Sequence, residues 1–385
     1  MIYFDNNATT KPAGSAVEAI NHCIQADWGN PSSAHSTGRR ARSIVSDARE
    51  KTAALLGAAK TDEIFFTSGG TESDNWAILG ALAASPEKRH IVTTRVEHEA
   101  VRKTCERLEE GGVRVSRLDV DSDGLLDLAQ LESVLSEDTA LVTIMLANNE
   151  TGVLFPIDEA AEIVKSQCGA LFHVDGVNAA GKISIDLKNT EVDLFSISGH
   201  KFHGPKGIGA LYIKNGLRLA PFLMGGGQEK GRRAGTEAVH QIAGLGAAAE
   251  FAADLEPLTM VEAMRDKLED GILSSIPNCR VNGARGAGRR LPNTANISFE
   301  DTNGDGILSM LDDIGVCVST GSACNAENHV SSPVLRAMNV PYSFAMGSIR
   351  FSLGRFNTMG EVDFVLEKLP GIIANLRRIG GQTAV

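Results

Sequence analysis

None of the six cysteines, at positions 23, 105, 168, 279, 317 and 324, forms a CxxC pair or the spacing of a metal finger. That scatter fits a reduced-thiol compartment and leaves room for one chemically active thiol. No apolar run approaches the ~20 residues of a membrane helix. The N-terminus, Met1-Ile-Tyr-Phe-Asp-Asn-Asn, lacks the charged-then-apolar arrangement of an export signal, so the expected location is cytoplasmic. Positive charge is in deficit, with 37 Lys and Arg against 48 Asp and Glu and a net charge of -11. A protein-wide phosphate-binding face, and with it direct nucleic-acid binding, is disfavoured. Internal repeats and low-complexity tracts are missing too.

What is present is an ordinary globular balance, 43% apolar and 22% charged, over 385 residues. That length exceeds what one hydrophobic core usually organises, so two domains are expected. From about residue 60 to 215 short apolar runs alternate with amphipathic helical stretches: Ile64–Thr67, Ile91–Thr94, Ala140–Leu146 and Leu171–Val174. This is the βαβ pattern of a parallel sheet. Pro156-Ile-Asp158 opens a helix over Glu159–Lys165 that Cys168-Gly169 closes. After a helical stretch from Ala238 to Ala253, Pro257 marks a hinge, and the remainder mixes strands at Thr294–Phe299 and Ser348–Ser352 with helices. The Gly/Arg-rich segment Gly283–Arg290 reads as a surface loop. Asp301–Gly306 and Asp119–Gly124 have acidic spacings like calcium loops, but each follows a strand and lacks the closing glutamate. Turns before helices explain both.

The chemistry centres on Ser198-Gly199-His200-Lys201, a tight turn directly after the apolar run Asp193–Ser198. A lysine there is placed to hold a cofactor aldehyde as a Schiff base, which would make the chain a pyridoxal phosphate enzyme. A lone lysine after a strand is more often a solvated charge, so partners are needed. Asp175, ending Leu171-Phe-His-Val-Asp175, is the acid that could hold the pyridinium nitrogen. In an open parallel sheet both would meet in the crevice at the carboxyl ends of the strands. Thr67-Ser-Gly-Gly-Thr-Glu-Ser73 follows a strand and opens a helix near Asp74, so glycine amides, a hydroxyl and the positive helix end could converge on a phosphate. An ordinary helix cap is the bland reading of that string. A second glycine-rich loop, Gly225–Thr236, carries clustered cations and alone would be a flexible connector.

His98 could stack on a cofactor ring or shuttle a proton. The amide of Asn148 or Asn149 could bond a phenolic oxygen or a carboxylate. Arg350 sits in the apolar strand Gly347–Ser352 and needs an anionic partner, either a structural ion pair or a substrate carboxylate. Cys317 lies in apolar surroundings, whereas Cys324 lies in the polar stretch Ser319–Ser332, which singles it out as the exposed thiol.

Together these motifs resemble the cysteine desulfurases of the NifS/IscS group, within the class V aminotransferase fold of pyridoxal phosphate enzymes. The likeness runs through nearly the whole chain, in Asp5–Thr10, Gly29–Ser33, Phe66–Ser73, Ser198–Lys206, Arg232–Glu237, Gly321–Cys324 and Ser348–Gly354. It implies an α/β, fold type I architecture: a large cofactor-binding domain over 15–255 with a mainly parallel sheet between helices, and a smaller α+β domain from 1–14 and 256–385 that carries the cysteine loop. It implies Lys201 as the Schiff-base lysine, Asp175 under the ring nitrogen, His98 on the ring, and Gly70, Thr71, Ser198 and His200 around the phosphate. Thr236 would reach the phosphate of a partner subunit in a homodimer. Asn149 and Arg350 would hold the substrate carboxylate, and Cys324, on the long form of its loop, would accept sulfur for onward delivery. The substrate would be L-cysteine, the product L-alanine, and the sulfur acceptor an iron–sulfur scaffold or another carrier protein.

Two positions depart from the group's pattern. Asn178 replaces the usual glutamine, so its hydrogen bond to the cofactor's phenolic oxygen is expected to lengthen or pass through water. Asn328-His-Val-Ser-Ser332 replaces a Leu-Glu-Pro-Ser-like string, with altered loop packing or acceptor choice as the expected result. An aminotransferase or a selenocysteine lyase would share Lys201 and Asp175, and a non-catalytic scaffold would keep the fold alone. The long Cys324 loop argues against the aminotransferase, and the joint presence of lysine, aspartate, histidine and cysteine against the scaffold.

Overall fold

The structure, a computed structural model, describes residues 1–286, 288–320 and 331–382. After a two-residue strand β1 (Ile2–Tyr3) come β2 (Ile64–Thr67), β3 (His90–Thr94), β4 (Arg114–Leu118), β5 (Thr139–Met145), β6 (Leu171–Asp175), β7 (Leu194–Ser198) and β8 (Gly209–Ile213). Seven of these form one sheet in the order β2-β8-β7-β6-β5-β3-β4. Strands β4, β3, β5, β6 and β7 run parallel, and β8 is antiparallel to both its neighbours. Helices cover both faces of such a sheet, so its inner strands read as unbroken apolar runs, and every residue of β5 is buried. The edge strand β4 keeps charged residues because only part of it is covered.

Helices α1 (Gly14–Ala26), α2 (Ser36–Leu55), α3 (Gly70–Ala84), α4 (Glu99–Glu110), α5 (Leu128–Val134), α6 (Ile157–Gln167) and α7 (Val239–Ala253) belong to this half. α7 packs against α1 and α2, and at Gly246 a Cβ would come 2.6 Å from the Cα of Ala48, so the helices can approach this closely only without a side chain there. Pro257 occupies the first turn of α8 (Pro257–Ser275), where its missing N–H costs nothing. The expected hinge is therefore a helix start.

A second sheet has the order β12-β13-β10-β9, formed by β9 (Cys279–Val281), β10 (Thr294–Phe299), β12 (Ser319–Thr320) and β13 (Ser348–Ser352), all antiparallel. The N-terminal β1 pairs with β11 (Val316–Cys317) beside it. Helices α8, α9 (Gly304–Asp312) and α12 (Met359–Gln382) close a separate apolar core around Phe4, Phe299, Ile349 and Phe351. The short helices α10 (Pro333–Ala337) and α11 (Tyr342–Ala345) place Val334, Leu335 and Ala345 in the larger core, although they follow in the chain. Arg290, at the end of the segment read as a surface loop, is buried and pairs with the fully buried Glu269 at 2.7 Å. An ion pair in the interior is invisible to a reading that assigns glycine-rich stretches to the surface.

Candidate active site

The parallel strands bring Thr94, Met145, Asp175 and Ser198 to one edge of the sheet, and the chemistry-bearing residues gather beyond it. A cavity of about 160 Å³ there is lined by Gly70, Thr71, Asp74, His98, Met145, Ala147, Asn149, Asp175, Val177, Asn178, Ser198, His200 and Lys201. Nine of the residues singled out in the sequence therefore meet around one hole.

One wall is the turn from β2 into α3. The helix starts at Gly70, four residues earlier than expected, so the glycine pair is itself the helix N-terminus. Gly69 has φ of 153°, open to glycine, and no side chain caps this end. At Gly70 a Cβ would lie 2.6 Å from Cγ2 of Val177, so the backbone can line the cavity only as glycine. Uncapped amides, the helix dipole and the hydroxyls of Thr71 and Ser198 make this wall suited to a phosphate.

Lys201 follows β7 on a single turn of 3₁₀ helix, and its Nζ donates to the backbone carbonyl of Asn7. Burial and the nearby Arg350 pull its pKa down to about 8, against the opposite pull of Asp175 and Asp5. Burial, Lys201 and other lysines push His200 down to about 4, so it is neutral, and its Nδ1 lies 3.2 Å from Thr9 Oγ1.

Asp175 is buried at the end of β6, where its Oδ1 accepts from the amide of Val177 at 2.9 Å. His98 caps α4, with Nδ1 accepting from the amide of Ala100 at 3.2 Å, which places the proton of the neutral ring on Nε2. Ligand atoms of Asp74, His98 and Asp175 lie within 4.8 Å of one another. Burial raises both aspartates. His98 and Lys201 counteract this at Asp175, whereas the charges around Asp74, on Asp175 and Glu97, raise it further. Glu97, fully enclosed, is pushed by burial to about 8. The negative charge of this cluster therefore settles on Asp175, a suitable partner for a cationic ring nitrogen. In the sequence Asp74 reads only as marking a helix start, because an aspartate inside a helix carries no local signal of a site.

Arg350, on β13, donates from Nη1 to the carbonyl of Asn149 at 3.0 Å and pairs through Nη2 with Asp5 at 2.8 Å. The structural ion pair raised as one reading of this arginine is thus present, while its buried Nε has no hydrogen-bond partner among the described residues. Asn7, also missed as a site residue, is a hub: it accepts from Lys182 and Asn293, donates to Asn149 and Thr294, and its carbonyl accepts from Lys201.

Among the described residues, two candidates, Arg350 and Thr236, do not line the cavity. Thr236 is exposed and contributes nothing to the lining of this chain's cavity. Cys324 lies outside the described residues, as does Asn328. The loop before Thr236 is fastened within its own chain. Glu229, at a left-handed φ of 45°, receives two bonds from Arg49 and one from the amide of Phe66, and Arg233 pairs with Glu72.

These groups fit pyridoxal phosphate. The amine of Lys201 can take the aldehyde, Asp175 the ring nitrogen, and the glycine-lined N-terminus of α3 the phosphate.

Comparisons with known proteins agree. The class-V aminotransferase sequence profile matches residues 2–365. A cysteine desulfurase of Nostoc sp. is 52% identical over 381 residues, covering 98% of this chain and 94% of the relative. The cysteine desulfurase NifS of Azotobacter vinelandii is 48% identical over 380 residues, with 98% and 94% covered. Among solved structures, a NifS-like protein superimposes with a TM-score of 0.91 at 40% identity, covering 97% of this chain and all 100% of that one.

Proposed function

This chain belongs to the cysteine desulfurases of the class-V aminotransferase family, and from that premise we propose how its residues carry the reaction. It is a pyridoxal phosphate enzyme that takes sulfur from L-cysteine and leaves L-alanine. The observation that carries the assignment of roles is the convergence of Lys201, Asp175 and His98 on one cavity walled by the start of α3.

Gly70, Thr71, Ser198 and His200 would hold the phosphate, Asp175 would keep a proton on the ring nitrogen, and His98 would face the ring. When bound, pyridoxal phosphate supplies the electron sink that lets bonds at the substrate's Cα and Cβ break. Lys201, with its pKa drawn to about 8, moves the Cα proton close to neutral pH. Asn149 and Arg350 orient the substrate carboxylate; for Arg350 this requires sharing its guanidinium with Asp5. The thiolate of Cys324 attacks the substrate sulfur, the carbon–sulfur bond breaks, and Cys324 becomes a persulfide. The persulfide is handed to an acceptor protein, in iron–sulfur cluster assembly or another thiolation pathway.

We further propose a homodimer, in which Thr236 completes the partner's phosphate site; its exposure outside this chain's own cavity supports that reading. We divide the chain into a large domain over 15–255 and a small domain from 1–14 and 256–385, a division supported by the two larger sheets and most of the two larger apolar cores. A cytoplasmic location fits the five free thiols among the described residues. Among those residues no helix is long and apolar enough to cross a membrane.

The test is peptide mass spectrometry after incubating the holoenzyme with L-cysteine in the absence of reductant. One added sulfur on the peptide containing Cys324 is expected. Sulfur on another cysteine, or on none, would remove Cys324 from its role.

A further inference from the structure

We infer that Lys182 is a positioning residue, which turns the side-chain amide of Asn178 so that its NH2 group faces the cofactor cavity. Lys182 is buried, and its Nζ donates to Asn178 Oδ1 at 2.9 Å, to the Asn178 carbonyl at 2.9 Å and to Asn7 Oδ1 at 3.1 Å. All three acceptors are uncharged. Burial, with the charges of Lys201 and Arg350, draws the Lys182 pKa well below its ordinary value, yet the cage consists of oxygens alone, so Nζ meets an acceptor in each of these directions.

The consequence falls on Asn178, which lines the cavity and is itself buried. Nζ donates to the amide oxygen of Asn178, which therefore faces it. On the other side Asn178 Nδ2 donates to the carbonyl of Asn148 at 3.4 Å, and a carbonyl can only accept. The donating Nζ on one side and the acceptor-only carbonyl on the other therefore hold the same orientation. The long bond to Asn148 uses one N–H weakly, and the other is available to an oxygen in the cavity. An amide clamped in this way presents a donor to an anionic ring oxygen without first having to choose a rotamer, which is the gain of preorganisation. Asn7 extends the arrangement, because its side chain accepts from Lys182 while its carbonyl accepts from Lys201. The cage thus stands next to the lysine that takes the aldehyde.

This rests on the reading that the cavity takes pyridoxal phosphate. The test is titration of the cofactor-free protein with pyridoxal phosphate, followed by the absorbance of the lysine-bound cofactor, together with thermal melting of the cofactor-free protein. Lys182→Met and Asn178→Ala are each expected to weaken cofactor binding about tenfold, roughly one hydrogen bond. The double variant should bind no more weakly than Asn178→Ala alone, because Lys182 acts through that amide. Asn178→Asp should keep the clamp as an ion pair. It should melt higher without cofactor than the parent protein, yet bind cofactor more weakly, since a carboxylate has no N–H to offer. Parent-like binding by Lys182→Met, or losses that multiply in the double variant, would overturn the inference. Should Lys182→Met fail to fold, Asn178→Asp decides alone: binding as tight as the parent's refutes it. Failure of the parent protein to bind the cofactor would instead overturn the reading of the cavity, and the inference with it.

Discussion

Arg233 grips Glu72 with two hydrogen bonds, at 2.8 and 3.1 Å, and so ties the loop that ends in Thr236 to the first turn of α3. Glu72 also accepts from the amide of Ser68 at 3.0 Å, which ties the carboxylate to the turn between β2 and α3. Burial alone would raise the pKa of Glu72, but the bonds from Arg233 and Ser68 outweigh it and hold the pKa below 4.5. The stability this pair contributes is therefore present above pH 4.5 and is lost as pH falls through the lower folded-state value. Arg233→Ala should lower stability at pH 7 by about 1–2 kcal/mol, the pair being neither surface-exposed nor fully enclosed. Denaturant unfolding should show that gap closing in acid. A gap that stays constant with pH would mean the pair contributes nothing through its charge.

Gly70→Ala tests the close approach at the cavity wall. The added methyl would lie 2.6 Å from Cγ2 of Val177, a β-branched side chain with little freedom to swing away. A stability loss of about 1–3 kcal/mol and weaker cofactor binding are expected. The second substitution Val177→Ala should restore most of both. Without that rescue, the contact with Val177 would not be the reason for glycine at this position.

The rate at which cofactor-free protein captures pyridoxal phosphate should rise with pH through about 8, the value to which burial and Arg350 draw Lys201. Only the neutral amine has a lone pair to offer the aldehyde. Stopped-flow absorbance across pH 6 to 10 reads this directly, and Lys201→Ala should abolish the absorbance change. In turnover the same substitution should cost about 10²–10⁴-fold, as expected for the loss of a positioned proton carrier.

Glu150, whose Oε2 accepts from Ser332 Oγ at 2.6 Å, is pushed by burial to about 7. The folded protein holds this proton more tightly than the unfolded chain does. The associated stability is full below pH 4.5 and declines as pH rises towards 7. Glu150→Gln, which stays neutral and keeps an acceptor for Ser332, should remove that decline and be the more stable protein at pH 8, by on the order of 1–3 kcal/mol. Equal stability at pH 5 and 8 in the parent protein would contradict the assignment.

Where the sequence was legible, the signal was local. Ile64–Thr67, Thr294–Phe299 and Ser348–Ser352 are apolar runs bounded by turn residues, and each is a strand over that span. The turn after β7 and the acid ending β6 followed from the rule that ligands gather at the carboxyl ends of parallel strands. What escaped depends on contacts distant in the chain. Lys182 carries no signal in the sequence until the fold wraps Asn7 around it, and Arg290 reads as loop until Glu269 is found beneath it. The start of α3 was set too late because the glycine pair argues against helix in its own neighbourhood, whereas a first turn tolerates it.

The central claim is that Lys201 and Cys324 divide the removal of sulfur from L-cysteine between them. The most direct measurement incubates the purified holoenzyme with L-cysteine and a reducing thiol, quantifying alanine and sulfide together, with Cys324→Ala alongside. Equal amounts of alanine and sulfide, both abolished in a variant that still binds cofactor, are the predicted result. Pyruvate in place of alanine, or undiminished sulfide release from Cys324→Ala, would contradict it.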